Sequence, residues 1–296
     1  MSKSDSAGKR TSLSWLARGR WNVLDLIEMG RRSVPTYLAF DVDMTWAESL
    51  RTELMEVGHK VTITAIVLKA ISVAQRNHPA SRSLLLPWGP VVTLNEIVAG
   101  FTVEREVADG PAVFLGAIRN ADTKSVEDIA SELREYAVKE IKDVPQLAVE
   151  DRFSRFPWLV RKFILWLGQC IPSVRLRYQG ATFGLSTLGK FGITLVVPPS
   201  VCTSIFGVGS VEDRVVAHHG QAVIRPMMSV IYNFDHRLID GAPAARFVAE
   251  VRDLLEGDLA KYLADEIGDI VGGIKAPEEI AHGRLTAVSE EQVLTF

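Results

Sequence analysis

The stretch YNFDHRLIDGAPAARFVAEVRDLLE, residues 232–256, decides how the rest of the chain is read. Its first residues continue an apolar run, MMSVIYNF (227–234), with the composition of a strand. Its second half places Ala245, Val248, Val251, Arg252 and Leu255 at helical spacing. Between them lies DHRLIDG (235–241), where the His236 imidazole stands between the carboxylates of Asp235 and Asp240 and beside the Arg237 guanidinium, with Gly241 closing the run. Histidine is the side chain that titrates nearest neutrality, so a histidine held among charges at a strand end is the first candidate for proton transfer.

Outward from this stretch, VPTYLAFDVDM (34–44) sets Tyr37, Ala39, Asp41 and Asp43 against Leu38, Phe40, Val42 and Met44, the alternation of a half-buried strand. A helix is expected from Thr45, read as an N-cap with Glu48 three residues on, to Gly58. The run ITAIVLKAISVAQRNHP (63–79) is apolar nearly all round and belongs inside the molecule. Strands are expected at 91–94, 97–103 and 112–118, with a polar turn at 108–110, and a helix over 125–138 capped by Ser125 with Asp128 at the capping-box position. Further strands are expected at 181–186, 193–197, 201–208 and 222–234, the last two joined through a charged turn at 212–214. A short helix over 15–32 leads in, after a polar tail at 1–14. His218 and His219 read as a solvated pair in a loop before Gly220. Helices and strands are mixed without strict alternation, which indicates an α+β domain with a mixed central β-sheet flanked by helices.

One segment differs from its surroundings. FSRFPWLVRKFILWLGQCIPSVRLRY (153–178) combines dense aromatic and aliphatic residues with Arg155, Arg161, Lys162, Arg175 and Arg177. Two readings stand: a buried or interface helix, as a short apolar run usually is, or a helix that docks a partner or a membrane surface.

Composition excludes several classes. The 296 residues carry 33 Lys and Arg against 36 Asp and Glu, so overall charge gives no reason to expect nucleic acid as a partner. No apolar run reaches the length of a membrane span. Cys170 and Cys202 have neither disulfide-framework nor metal-ligand spacing; they are expected to be buried apolar thiols in a reducing cytoplasm. No phosphate loop, dinucleotide fingerprint or zinc motif occurs.

DHRLIDGAPAARFVAEVRDLLE resembles the C-terminal signature of the dihydrolipoamide acyltransferase catalytic domains of 2-oxoacid dehydrogenase complexes, and more distantly chloramphenicol acetyltransferase. GATFGLSTLGKFG (180–192), residues 97–130 and the buried helix 63–79 resemble other segments of that family, in the family's order. The resemblance implies a chloramphenicol acetyltransferase-like fold over residues 15–256, with 153–178 as an insertion and 257–296 as a helical extension or arm. It implies acyl transfer with coenzyme A as substrate, no metal and no covalent lipoyl group on this chain. By the family pattern His236 is the general base, Ser186 the oxyanion donor, Asp240 a structural carboxylate paired with an arginine, and Gly241 a residue that permits a tight backbone. Asp235 and Arg237 are expected to support the site. The family forms trimers, some built into cages, and a lipoyl-bearing protein is expected in trans, since no lipoyl module or Pro/Ala-rich linker is recognisable. Two departures stand out: Gly184 occupies a position where the family carries Thr, and the Asn expected three residues after Pro79 is Arg82. They leave two alternatives open, a scaffold of the same fold with reduced turnover and a small-molecule O- or N-acyltransferase.

Overall fold

The computed structural model describes residues 18–107, 110–171, 174 and 181–263. The tail at 1–14, the turn residues 108 and 109, most of 172–180 and the chain beyond 263 lie outside the described residues. In chain order the helices are α1 (Arg18–Gly30), α2 (Thr45–Glu56), α3 (Ile63–Asn77), α4 (Val126–Val138), α5 (Pro145–Ser154), α6 (Trp158–Cys170) and α7 (Gly241–Asp253). The strands are β1 (Pro35–Asp43), β2 (Ser83–Leu85), β3 (Val91–Thr93), β4 (Val98–Val107), β5 (Gly110–Arg119), β6 (Phe183–Thr187), β7 (Ser204–His218) and β8 (Gln221–Asp235).

Six strands form one sheet in the order β1-β8-β7-β6-β4-β5, while β2 and β3 pair separately. The outer pairs are antiparallel; β6 runs parallel to both β4 and β7, so the sheet is mixed and the fold is α+β as expected. The core lies between this sheet and the helices of one layer. α3 is buried from Ala65 to Gln75 because its sequence offers apolar residues on every side. Thr62 caps it, its hydroxyl accepting from the Ala65 N–H at 3.2 Å. The cation buried in α3, Lys69, donates to the backbone carbonyls of Asp122 and Lys124. Tyr232 of β8 is fully buried, stacks on Phe206 with ring centroids 4.8 Å apart, and meets Phe247 of α7 edge-on. That aromatic cluster fixes α7 against the sheet and so fixes the turn between β8 and α7.

Several expectations are corrected. Thr45 is not an N-cap: it is the first helical residue, and its N–H donates to Asp43 Oδ1 at 2.9 Å. Residues 193–197 form no strand. They pass over β7 at close range, where Gly207 and Gly209 leave no Cβ in the way of the Val196 and Thr194 carbonyl oxygens. Residues 212–214 form no turn either; they lie inside β7, opposite 225–227 of β8. The hairpin turns at His219 (φ 49°) and Gly220 (φ 79°), with His218 still in the strand. β2 was not anticipated.

α6 settles half of the question posed by 153–178. Only Arg161, Leu165 and Gly168 are buried in it, so it is no core helix. Arg161 lies 3.3 Å from buried Asp25 and under the Trp21 ring, which docks α6 on α1. Phe156, Trp158, Leu159, Phe163 and Trp166 stay exposed. Among the described residues no helix is long and apolar enough to cross a membrane.

Candidate active site

The strand-to-helix junction of DHRLIDG is held from three sides. The Asp235 N–H donates to Thr203 O at 3.1 Å, and the His236 N–H donates to Val34 O at 2.9 Å, so the motif is clamped between the segments entering β7 and β1. Asp235 is buried, and its carboxylate organises the turn. Oδ1 accepts from the Val34 N–H (3.2 Å), the Arg237 N–H (3.1 Å) and Arg237 Nε (2.9 Å), while Oδ2 accepts from Arg237 Nη2 (2.5 Å). Burial pushes this carboxyl up, but the Arg237 fork and the two backbone donors together outweigh it and hold Asp235 below the usual aspartate range.

His236 follows, with its side chain 43 % exposed and its ring tilted against Phe234 at 5.7 Å. Nδ1 is 3.9 Å from Asp240 Oδ1, beyond hydrogen-bond length, and the Asp240 side chain is 87 % exposed. The expected arginine partner of Asp240 is absent among the described residues, because Arg237 is already engaged by Asp235. Asp240 precedes α7 in an extended conformation without a side-chain cap bond. Gly241 is corrected as well: a Cβ there would meet nothing within 4 Å, and its φ is not left-handed, so no backbone constraint inside the subunit demands glycine.

Ser186 lies elsewhere. It is half-buried in β6, in register with Gly207 of β7, which is itself in register with Ile231 of β8. His236 is five residues past Ile231 and two strands away, which places the two Cα atoms roughly 15–20 Å apart. The structure therefore does not bring His236 and Ser186 together within one subunit.

Phe183 and Leu185 of β6 face the core, and Gly184 and Ser186 face the other way into a cavity of about 170 Å³. Its walls are apolar: Val23 and Leu26 from α1, Val113 and Leu115 from β5, and Ile205 from β7. Cys202 lines it too. Both cysteines are half-buried, not buried as expected, and Cys202 Sγ donates to Ser204 O at 3.1 Å. One buried carboxyl stands at the wall, Glu150 of α5, whose Oε2 accepts from the Leu115 N–H of edge strand β5 at 3.0 Å. Burial pushes Glu150 up to about 8, only partly offset by that bond. Nothing in the sequence marks Glu150, one of two adjacent acids in a weakly amphipathic helix, and its role emerges only once α5 is seen against β5.

The fold is thus a six-stranded mixed sheet with a histidine-bearing turn at the end of β8, the second strand from one edge. The structure aligns with the cubic core of a pyruvate dehydrogenase multienzyme complex at a TM-score of 0.65 and 25% identity, over 86% of this chain and 96% of that one. The chain belongs to the 2-oxoacid dehydrogenases acyltransferase (catalytic domain) family, whose profile matches residues 22–145 and 175–264. The unmatched stretch, 146–174, contains α6 and nearly all of α5. Among curated relatives, the succinyltransferase component of the Pseudomonas aeruginosa 2-oxoglutarate dehydrogenase complex is 44% identical over 90 residues, 29% of this chain and 21% of that protein. The lipoamide acyltransferase component of the branched-chain alpha-keto acid dehydrogenase complex of the same organism is 25% identical over 254 residues, 82% of this chain and 51% of that protein. The chain thus spans between about a fifth and a half of the length of these relatives.

Proposed function

We propose that the chain is a catalytic domain that moves an acyl group between coenzyme A and a dihydrolipoyl thiol supplied in trans, at sites completed between copies of a homotrimer. The observation that carries this reading is the clamped DHRLIDG turn, which holds His236 accessible at a strand end, together with family membership. A general base and an oxyanion donor must both lie within about 3 Å of the reacting atoms. His236 and Ser186 are too far apart in one subunit to do so, and a neighbouring copy that places its Ser186 opposite His236 satisfies both requirements. Cage assembly is supported by the likeness to a cubic core.

The chemistry follows from the groups. A thiol is only partly ionised at neutral pH, so His236 takes the proton from the attacking thiol as its sulfur adds to the thioester carbonyl. The resulting oxyanion accepts a hydrogen bond from the Ser186 hydroxyl. Collapse breaks the carbon–sulfur bond to the departing thiol, which takes the proton back from His236. Asp240, 3.9 Å from Nδ1, is a positioning residue rather than a base. The test is release of free thiol from acyl-CoA with dihydrolipoamide as acceptor. His236→Ala is expected to lower kcat about 10²- to 10⁴-fold, and Ser186→Ala about 10²- to 10³-fold. Equal rates for the wild type and His236→Ala would contradict the assignment and favour a scaffold.

A further inference from the structure

The cavity beside Ser186 is not needed to explain proton transfer, and its chemistry is selective. Its walls come from α1, β4, β5, α5, β6, the segment before β7 and the start of β7, and among the described residues no lysine or arginine lines it. Among the described residues the one carboxyl at its wall is Glu150, buried and bonded to the Leu115 N–H. About 170 Å³ is room for several waters, well beyond what an acetyl group fills. β6 contributes a glycine, Gly184, to this lining. A Cβ built there meets only Ile205 and Cys202, at 3.6–3.8 Å, which is ordinary contact, so a larger side chain could be held and would occupy the cavity.

We infer that this cavity is the acyl pocket, that it takes an uncharged aliphatic chain of medium length or branched form, and that Gly184 sets its depth. This rests on the acyl-transfer reading above. A succinyl group is disfavoured on physical grounds: its distal carboxylate would be desolvated among apolar side chains, with no lysine or arginine among the described lining residues to pair it, and an unpaired buried charge is costly. The pocket therefore separates this chain from the succinyltransferase that shares 44% identity with it over 90 residues. Apolar walls discriminate weakly between chains that differ by one methylene, about 10- to 200-fold, so a graded preference among uncharged chains is expected and a sharp one against the charged chain.

The experiment compares kcat/KM for acetyl-, isovaleryl-, hexanoyl- and succinyl-CoA with dihydrolipoamide. The wild type is expected to use hexanoyl- or isovaleryl-CoA at least tenfold better than succinyl-CoA. Gly184→Val should lower the hexanoyl-to-acetyl ratio at least tenfold, and Leu115→Phe, which fills the same cavity from β5, should lower it in the same direction. A wild type that prefers succinyl-CoA, or filling variants that leave the hexanoyl-to-acetyl ratio unchanged, would overturn the proposal. If no acyl-CoA is turned over, the acyl-transfer reading falls, and calorimetric binding still decides the cavity. Tighter binding of hexanoyl- than succinyl-CoA, weakened by Gly184→Val, upholds it, and equal affinities reject it.

Discussion

At the scale of single residues, two buried carboxylates show how the same side chemistry is driven in opposite directions. Asp235 meets a bidentate guanidinium and two backbone donors and is held ionised. Glu150 meets one backbone N–H and is pushed up to about 8. The second has a measurable consequence. In the unfolded chain Glu150 titrates near its ordinary value of 4.5, so folding binds a proton between that value and about 8. Stability is therefore full below pH 4.5, falls as pH rises, and reaches its lowest contribution above pH 8. Glu150→Gln keeps an acceptor for the Leu115 N–H and removes the titration. Urea unfolding should show the variant more stable than the wild type at pH 8, by on the order of a few kcal/mol, with the difference vanishing at pH 4.5. A difference independent of pH would contradict the assignment. The asymmetry between these residues also explains what the sequence could disclose. DHRLIDG puts Asp235 and Arg237 two positions apart, within reach of each other, whereas the partner of Glu150 lies 35 residues away on another element.

At the scale of elements, legibility tracks how local the cause is. β1 alternates, α3 is apolar all round, and Ser125 caps α4 by accepting from the Asp128 N–H at 3.0 Å, each a property of neighbouring residues. Residues 193–197 have strand composition, yet form no ladder, because they cross the face of β7 instead of pairing along its edge; the Ser210 N–H and hydroxyl both donate to Ile193 O, at 2.9 and 3.3 Å, and the Thr194 hydroxyl donates to Glu212 Oε1 at 3.2 Å. The decisive residues are Gly207 and Gly209, distant in sequence and silent in pattern. Gly207→Ala is expected to displace the 193–198 segment and to lower the unfolding free energy by about 1–3 kcal/mol, the usual range for overpacking. Chemical denaturation measures this directly, and a variant as stable as the wild type would show that the crossing is looser than described. α6 is the converse case: composition indicates an apolar helix, but not which way its apolar residues face. The buried Arg161–Asp25 pair turns them outward.

At the scale of the whole molecule, the subunit looks incomplete by itself. Exposed apolar side chains lie on α6, on the segment with Phe191, Leu195 and Val197, and on the hairpin tip with Val215 and Ile224. Soluble monomers rarely leave so much apolar surface in patches. The two proposed catalytic groups are likewise held at separate places in the sheet. Both features agree with assembly, and on the reading proposed above the second would make the assembly part of the chemistry. The central claim is that His236 of one copy works with Ser186 of the next. It is tested most directly by co-assembling His236→Ala and Ser186→Ala subunits, each inactive alone, in equal amounts. In a randomly mixed cyclic trimer about one interface in four joins an intact His236 to an intact Ser186, so about a quarter of wild-type acyl transfer should return. If both groups served a site within one subunit, no mixed trimer would contain an intact pair, and activity at the level of the separate variants would contradict the account.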